Sequence, residues 1–419
     1  MDNLSHSLVG LAVGELVQRS LVPEADPLRQ RTRRRLLLAA GALASNFPDL
    51  DLVLTPLLPS PLGYLLHHRG HTHTLLYALP QALLLIALLW ALWPAARALL
   101  RTSAAARRGL LLATGAGFLL HMSMDYLNSY GVHPFYPFDA RWLYGDMIFI
   151  LEPVFWVACA APLAMLARRP LLRIAFGAVL ACALAFFTYK GFLHWSSLAG
   201  LALLGAALAW LQVRAGVRGR AALLAGLLAG AAFAAIQGAA SSHGKSVIAA
   251  QLQRIDPAGQ VVDIAMTAYP ANPLCWSFIS VERNAGADSY RLRRGLFSLA
   301  PGLMAVAACP PAMAARAGPA TEPSRVQVRQ RPEAAQLVLQ GESSGSLAAL
   351  RQRDADSCQF SAWLRFARAP VVGPQAASDL RFGALGDANF STLEFARFAG
   401  QPCGAVPQWG KPRQDLLAP

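Results

Sequence analysis

Over its first 240 residues the chain alternates apolar runs with short arginine clusters. Six runs reach the ~20 mostly apolar residues that a membrane-spanning helix needs: 74–96, 109–127, 148–167, 171–189, 195–213 and 221–240. Two shorter apolar segments, 7–22 and 36–48, read as half-inserted helices or as helices packed against the others. The stretch LVLTPLLPSPLGYLL, residues 52–66, is broken by three prolines and reads as a loop lying on the membrane or re-entering it. From Ser241 the pattern changes. VVDIAMTAYP (261–270), CWSFISVER (275–283) and SRVQVRQ (324–330) alternate as strands do, and AAQLVLQ (334–340) and SAWLRFARAPVV (361–372) are weaker strand candidates. The predicted fold is a polytopic α-helical membrane protein of about 6–8 helices, followed by a small mixed, mainly β extracytoplasmic domain. The predicted domains are 1–155, holding the candidate chemistry, 156–240, adding transmembrane helices, and 241–419, the soluble domain.

The arginines set an orientation. They cluster at Arg29–Arg35, Arg97–Arg108, Arg168–Arg173 and Arg214–Arg220, and the positive-inside rule puts all four clusters in the cytoplasm. Threading the six runs between them leaves the tail outside. The same threading gathers His6, Asp49, Asp51, the histidines of 67–73, Asp125, Asp146 and Glu152 at the outer ends of their segments, although none of them was used to build it. Asp2 and Glu15 do not suit a cleavable signal, so the first segment is expected to be retained.

Composition agrees with a membrane protein: 55% hydrophobic and 14% charged, with mean hydropathy +0.38, against about 25% charged in soluble domains. The net charge of +14 raises nucleic acid as a partner. The arginines, however, sit in loop clusters, with no RNP motif, zinc finger or basic helix with interleaved aromatics, so no nucleic acid is expected. Four of six cysteines, Cys275, Cys309, Cys358 and Cys403, fall in the tail, where an oxidising compartment permits disulfides of open pairing. Cys159 and Cys182 lie in apolar runs and read as buried thiols.

Ionisable groups at membrane depth are expensive and point to function. HMSMDYLNSYG puts His121 and Asp125 four residues apart, on one helix face. Imidazole with carboxylate suits zinc, with manganese or iron as alternatives; the plainer reading is a hydrogen bond within the bundle. NFPDLDLV offers Asp49 and Asp51, which would also fit an ordinary solvated turn. HHRGHTHT places four of the nine histidines, His67, His68, His71 and His73, in seven residues beside Arg69, whose guanidinium suits an anionic substrate. His6, Asp146 and Glu152 are isolated candidates, and Asn128, Tyr130 and His133 could contact substrate from the outer loop. Three or more such ligands with open positions would activate water. No P-loop, GxSxG or Ser–His–Asp arrangement competes.

These elements carry a resemblance. MDNLSHSLVG, NFPDLDLV, HRGHTHTLL and HMSMDYLNSYGVHPFYPF are similar to the motifs of the YdjM-type family of inner-membrane metal-dependent hydrolases, over about residues 1–155. AYPANPLCWSFISVE and ASDLRF resemble an extension of its longer members. The resemblance implies ligand roles for His6, Asp49, Asp51, His68, His73, His121 and Asp125; His71 fills a variable motif position and His67 precedes the motif. The ligand order is also similar to that of zinc-dependent phospholipases C, which implies phosphoester chemistry. The expected function is therefore a bacterial inner-membrane hydrolase. Metal-activated water would attack an ester or phosphoester, lipid-linked if the site opens at the bilayer, with Asp51 or Glu152 as general base. The alternative is a non-enzymatic membrane protein, a transporter or envelope assembly factor with a structural metal. Oligomeric state is left open.

Overall fold

The computed structural model describes residues 1–53, 55–216, 219–313, 336–404, 409–410 and 413–418. Ten α-helices come first among these: α1 (Asn3–Ser20), α2 (Pro27–Ala44), α3 (Leu62–His67), α4 (Leu75–Leu92), α5 (Pro94–Thr102), α6 (Ala104–Tyr126), α7 (Pro153–Met165), α8 (Pro170–Tyr189), α9 (Trp195–Ala215) and α10 (Ala221–Ile255). Two 3₁₀ segments, Phe47–Val53 and His71–His73, carry Asp49, Asp51, His71 and His73 among the candidates.

Four helices, α4, α8, α9 and α10, are long and apolar enough to cross a membrane; a fifth span arises if α2 is counted with Phe47–Val53 across a 52° bend. That is fewer than the 6–8 expected. The reason lies in polar residues that the apolar runs conceal. The run 109–127 lies in α6, which opens near Arg107 and Arg108 and ends with His121 and Asp125 turned inward. The run 148–167 becomes only the 13-residue α7, entered by an extended segment. In α1, Glu15 is 1% exposed and bonds Arg19 and Arg34. These helices form an inner bundle. The outward apolar faces belong to α4, where Leu79, Leu83 and Leu88 are exposed, and α8, where Leu184 is the one buried position.

The helix predicted over 221–240 continues to Ile255. Its last turns support a sheet: Ile248 and Leu252 pack against Ile264, Met266, Trp276 and Phe297. The sheet is an antiparallel meander of β1 (Gln260–Tyr269), β2 (Asn272–Asn284), β3 (Ser289–Ser298) and β4 (Leu337–Ser346). A second core joins α11 (Leu347–Asp356) and α12 (Cys358–Leu364) to a small sheet of β5 (Pro370–Val372), β6 (Ala376–Asp379) and β7 (Leu393–Glu394). Leu65 of α3 and Tyr130 belong to that same core, so the C-terminal part rests directly on the N-terminal bundle.

Segments 261–270 and 275–283 fall in β1 and β2, and 334–340 leads into β4; 324–330 lies outside the described residues. The segment 361–372 is a correction. Its first part ends α12, and the strand begins only at Pro370. β3 escaped prediction because Arg291, Arg293 and Arg294 blur its alternation. Arg291 and Arg293 are paired with Asp256, Glu282 and Glu342. The tail cysteines pair as Cys275–Cys309 and Cys358–Cys403. Cys159 is buried as expected, whereas Cys182 is exposed on the outward face of α8.

Candidate metal centre

The site begins with a close helix crossing. A Cβ added at Gly10 of α1 would lie 2.6 Å from Ser45 Oγ and 2.8 Å from the Gly41 carbonyl carbon; one at Gly117 of α6 would lie 2.6 Å from the Ala44 Cβ. Only glycine permits this approach. It brings together the start of α1, the end of α2 and the last turns of α6. α1 supplies His6, α6 supplies His121 and Asp125, and the 3₁₀ segment beyond α2 supplies Asp49 and Asp51.

The histidine-rich loop enters from the other side. Arg69 has φ +57°, a left-handed conformation that costs a non-glycine residue about 1–3 kcal/mol unless its surroundings enforce it. They do. Its N–H donates to Asp51 Oδ2 at 3.1 Å, and its guanidinium donates to Asp125 Oδ1 at 2.9 Å and to Asn128 Oδ1 at 3.1 Å. The ring of Tyr130 lies 4.7 Å from the guanidinium. The bend drops His73, fully buried, into the bundle. Thr74 then caps α4 through Tyr77 N–H.

Two groups of ligand atoms result: Asp49, His73, His121 and Asp125, and Asp49, Asp51 and His68, with all atoms of each group within 4.8 Å of one another. In the first, His73 Nε2 lies 3.3 Å from Asp49 Oδ1 and 3.2 Å from Asp125 Oδ2, while His121 Nε2 lies 3.7 and 3.4 Å from the same oxygens. The two Nε2 atoms are 3.0 Å apart. Tetrahedral ligands about 2.0–2.1 Å from a zinc ion stand roughly 3.3 Å from each other. Five of the six edges span 3.0–3.7 Å, around that value.

The tautomers make the same point. His121 Nδ1 is 2.7 Å from the carbonyl oxygen of Ser45, which can only accept, so Nδ1 carries the proton. The Thr72 hydroxyl donates to Asp51 Oδ2 at 2.8 Å, so it can only accept from His73 Nδ1 at 3.0 Å. Both neutral rings then aim an Nε2 lone pair at the other. Asp125 Oδ2, fully buried, has no hydrogen bond. Nitrogen lone pairs and a carboxylate oxygen facing one point require a cation or a proton there. Burial disfavours a charged His73, but the neighbouring carboxylates of Asp125, Asp49 and Asp51, which can accept from a protonated ring, outweigh it and lift its pKa to about 10. The cluster therefore retains a positive charge at neutral pH, as a proton or as the ion that displaces it.

The remaining candidates separate. His6 stacks on His121 at 4.1 Å and reaches Asp125 Oδ1 at 3.3 Å, at the edge of the cluster but in neither group. The backbone nitrogen of Met1 also contacts Asp125 Oδ1. His68 Nδ1 is 3.1 Å from Asp51 Oδ1. His71 joins neither group; its ring lies 4.7 Å from Trp409 and 5.3 Å from Tyr77. His67 is half-buried and also outside both. Glu152 is fully buried, but Oε1 accepts from the N–H groups of Val154 and Ala271, tying α7 to the β1–β2 turn. Asp146 is likewise committed, to Lys245 and Arg368. Asn128, Tyr130 and His133, expected at an outer surface, are all buried. Burial lowers the pKa of His133 to about 3.

Several partners escaped sequence reasoning. Asn3 donates to Asp49 Oδ2 at 2.9 Å, Ser45 orients His121, and Thr72 orients His73. Asn3 and Thr72 lie inside the quoted motifs, which was a usable signal. Trp409 had none: it comes from the far end of the chain, stacks on His133 at 4.1 Å and donates to the Leu66 carbonyl.

Residues 1–195 match the YdjM inner membrane protein family. The YdjM region thus contains every ligand in both groups. Among curated relatives, the uncharacterized protein YfhP of Bacillus subtilis (strain 168) is 27% identical over 165 residues, which cover 39% of this chain and 46% of YfhP. The similarity thus spans less than half of that relative's length. No solved structure matches the chain.

Proposed function

We propose that this protein is a membrane-bound, metal-dependent hydrolase of ester or phosphoester bonds, with its site at the outer face of the bacterial inner membrane. The observation that carries the reading is the inward-facing cluster of Asp49, Asp51, His68, His73, His121 and Asp125, in which Asp125 Oδ2 is buried without a hydrogen bond; the set suits a divalent cation, zinc first by ligand type. A bound cation supplies a Lewis acid and lowers the pKa of a coordinated water toward neutrality. The protein's own residues hold and orient. Arg69 fixes Asp125, Ser45 fixes His121, and Thr72 with Asp51 fixes His73. Asp49 and Asp51 are the carboxylates in reach to accept a proton. Glu152, bonded to two backbone N–H groups, acts instead as a positioning residue between the YdjM region and the sheet.

Two observations support the outer location. Both tail disulfides require an oxidising compartment, and the arginine clusters occupy the opposite ends of the helices. A lipid-linked substrate suits the exposed Leu4, Leu50 and Val53, which flank Asn3, Asp49 and Asp51 in sequence.

A structural metal in a non-enzymatic protein is the second reading, favoured by the complete burial of His6, His73, His121 and Asp125. Full-length protein in detergent separates the two. The enzyme reading expects bound zinc, manganese or iron and metal-dependent turnover on a panel of lipid and phosphoester substrates, both lost in His73→Ala and Asp125→Ala. Bound metal without turnover leaves the structural reading; full occupancy in both variants removes the metal site. An alkaline phosphatase fusion after residue 260 should be active, and an inactive one reverses the topology.

A further inference from the structure

We propose that the centre holds two divalent cations bridged by Asp49. This rests on the metal-dependent reading above and deepens it. The seven ligand positions involve six residues, because Asp49 belongs to both groups. The two groups differ in kind. Asp49, His73, His121 and Asp125 form a closed set of four, the pattern of a tightly held ion. Asp49, Asp51 and His68 offer three protein ligands, the pattern that leaves positions for water and substrate. One centre thus carries both a structural and an exchangeable half. The second half is built as firmly as the first. His68 is 8% exposed, and its ring is packed against Tyr64 at 5.0 Å and edge-on to Tyr130 at 5.6 Å. That packing holds Nδ1 toward Asp51 Oδ1. Asp49 is also the ligand nearest solvent, and Asn3 and Asn46 meet beside it.

Charge assigns the substrate class. The three carboxylates Asp49, Asp51 and Asp125 bring three negative charges, which Arg69 and the Met1 nitrogen offset in part at Asp125. One divalent ion covers the remainder. A second leaves the buried centre with an excess positive charge, which an anionic phosphoester offsets and a neutral carboxylic ester does not.

The test uses full-length protein in detergent, stripped by chelation and reloaded with Mn²⁺ alone. Bound manganese is counted by mass spectrometry, and electron paramagnetic resonance reads coupling between ions. Two Mn²⁺ per chain with an exchange-coupled signal is the expected result. His68→Ala should then bind one, uncoupled, and Asp51→Asn provides the same readout if His68→Ala fails to fold. One Mn²⁺ per wild-type chain overturns the two-cation centre and leaves the hydrolase reading standing. No Mn²⁺ bound after reloading, with no zinc or iron in the protein before stripping, defeats both. Inorganic phosphate should perturb the coupled spectrum of the wild type; a spectrum unmoved by saturating phosphate overturns the assignment to phosphoesters.

Discussion

Gly10→Ala should weaken metal binding more than it weakens the fold. The added methyl would lie 2.6 Å from Ser45 Oγ and 2.8 Å from the Gly41 carbonyl carbon. The Gly41 carbonyl oxygen is closer still; ordinary contact needs about 3.5 Å, so α1 and the end of α2 must part by about 1 Å. Overpacking of this size costs about 1–3 kcal/mol. Its path is specific. Ser45 supplies the carbonyl that holds His121 Nδ1 at 2.7 Å, and Asp49 follows four residues later. Shifting a partner that orients a metal ligand lowers affinity by roughly 10–100-fold. The assay is competitive Zn²⁺ titration against a chromophoric chelator, alongside thermal unfolding in the same detergent. Gly115→Ala on α6 is the control: nothing lies within 4 Å of its added Cβ, and removing a helical glycine should stabilise slightly, by about 0.5–1 kcal/mol. If Gly10→Ala binds Zn²⁺ as tightly as wild type, the crossing does not position the ligands and the reasoning fails.

Arg368→Ala should loosen the C-terminal part from the bundle. Arg368 is 5% exposed and bonds Asp146 at 2.8 and 2.9 Å and Asp263 at 2.8 Å; breaking such a pair costs about 3–5 kcal/mol, and limited proteolysis should release the tail faster. Asp263 adds a pH dependence. Burial alone would raise its pKa, but Arg368 and Arg413 outweigh burial and hold it near 2, below the ordinary value of about 3.9. Its stabilisation is complete above the unfolded pKa and fades as pH falls from about 4 toward 2, so Asp263→Asn should flatten that part of the melting profile. Cys358→Ser should lower the melting temperature, since it reopens a 45-residue loop worth about 2–5 kcal/mol; unchanged melting with the reduced wild type also unchanged would sink this.

The candidate ligands were legible because chemistry is local. His121 and Asp125 share a helix face by spacing alone, and Asp49, Asp51 and His73 stand out where membrane sequences rarely carry charge. The number of spans was less legible. An apolar run looks alike whether it faces lipid or packs inside a bundle; α7 is largely buried, and α6 turns one face inward while exposing Leu111, Leu112 and Leu119. Roles were less legible still. Glu152 and Asp146 are as polar and as buried as the ligands, yet their partners come from residues 119 and 222 positions away, Ala271 and Arg368.

The sequence by itself therefore determined the membrane character, the inventory of candidate ligands and the strands whose alternation survives in β1 and β2. Only the tertiary structure decided which of those candidates meet. A 3.0 Å approach of His73 to His121 depends on glycine contacts at Gly10 and Gly117, on a left-handed Arg69 and on Ser45. None of these has meaning until the helices cross, because distance between side chains is set by packing and not by position along the chain.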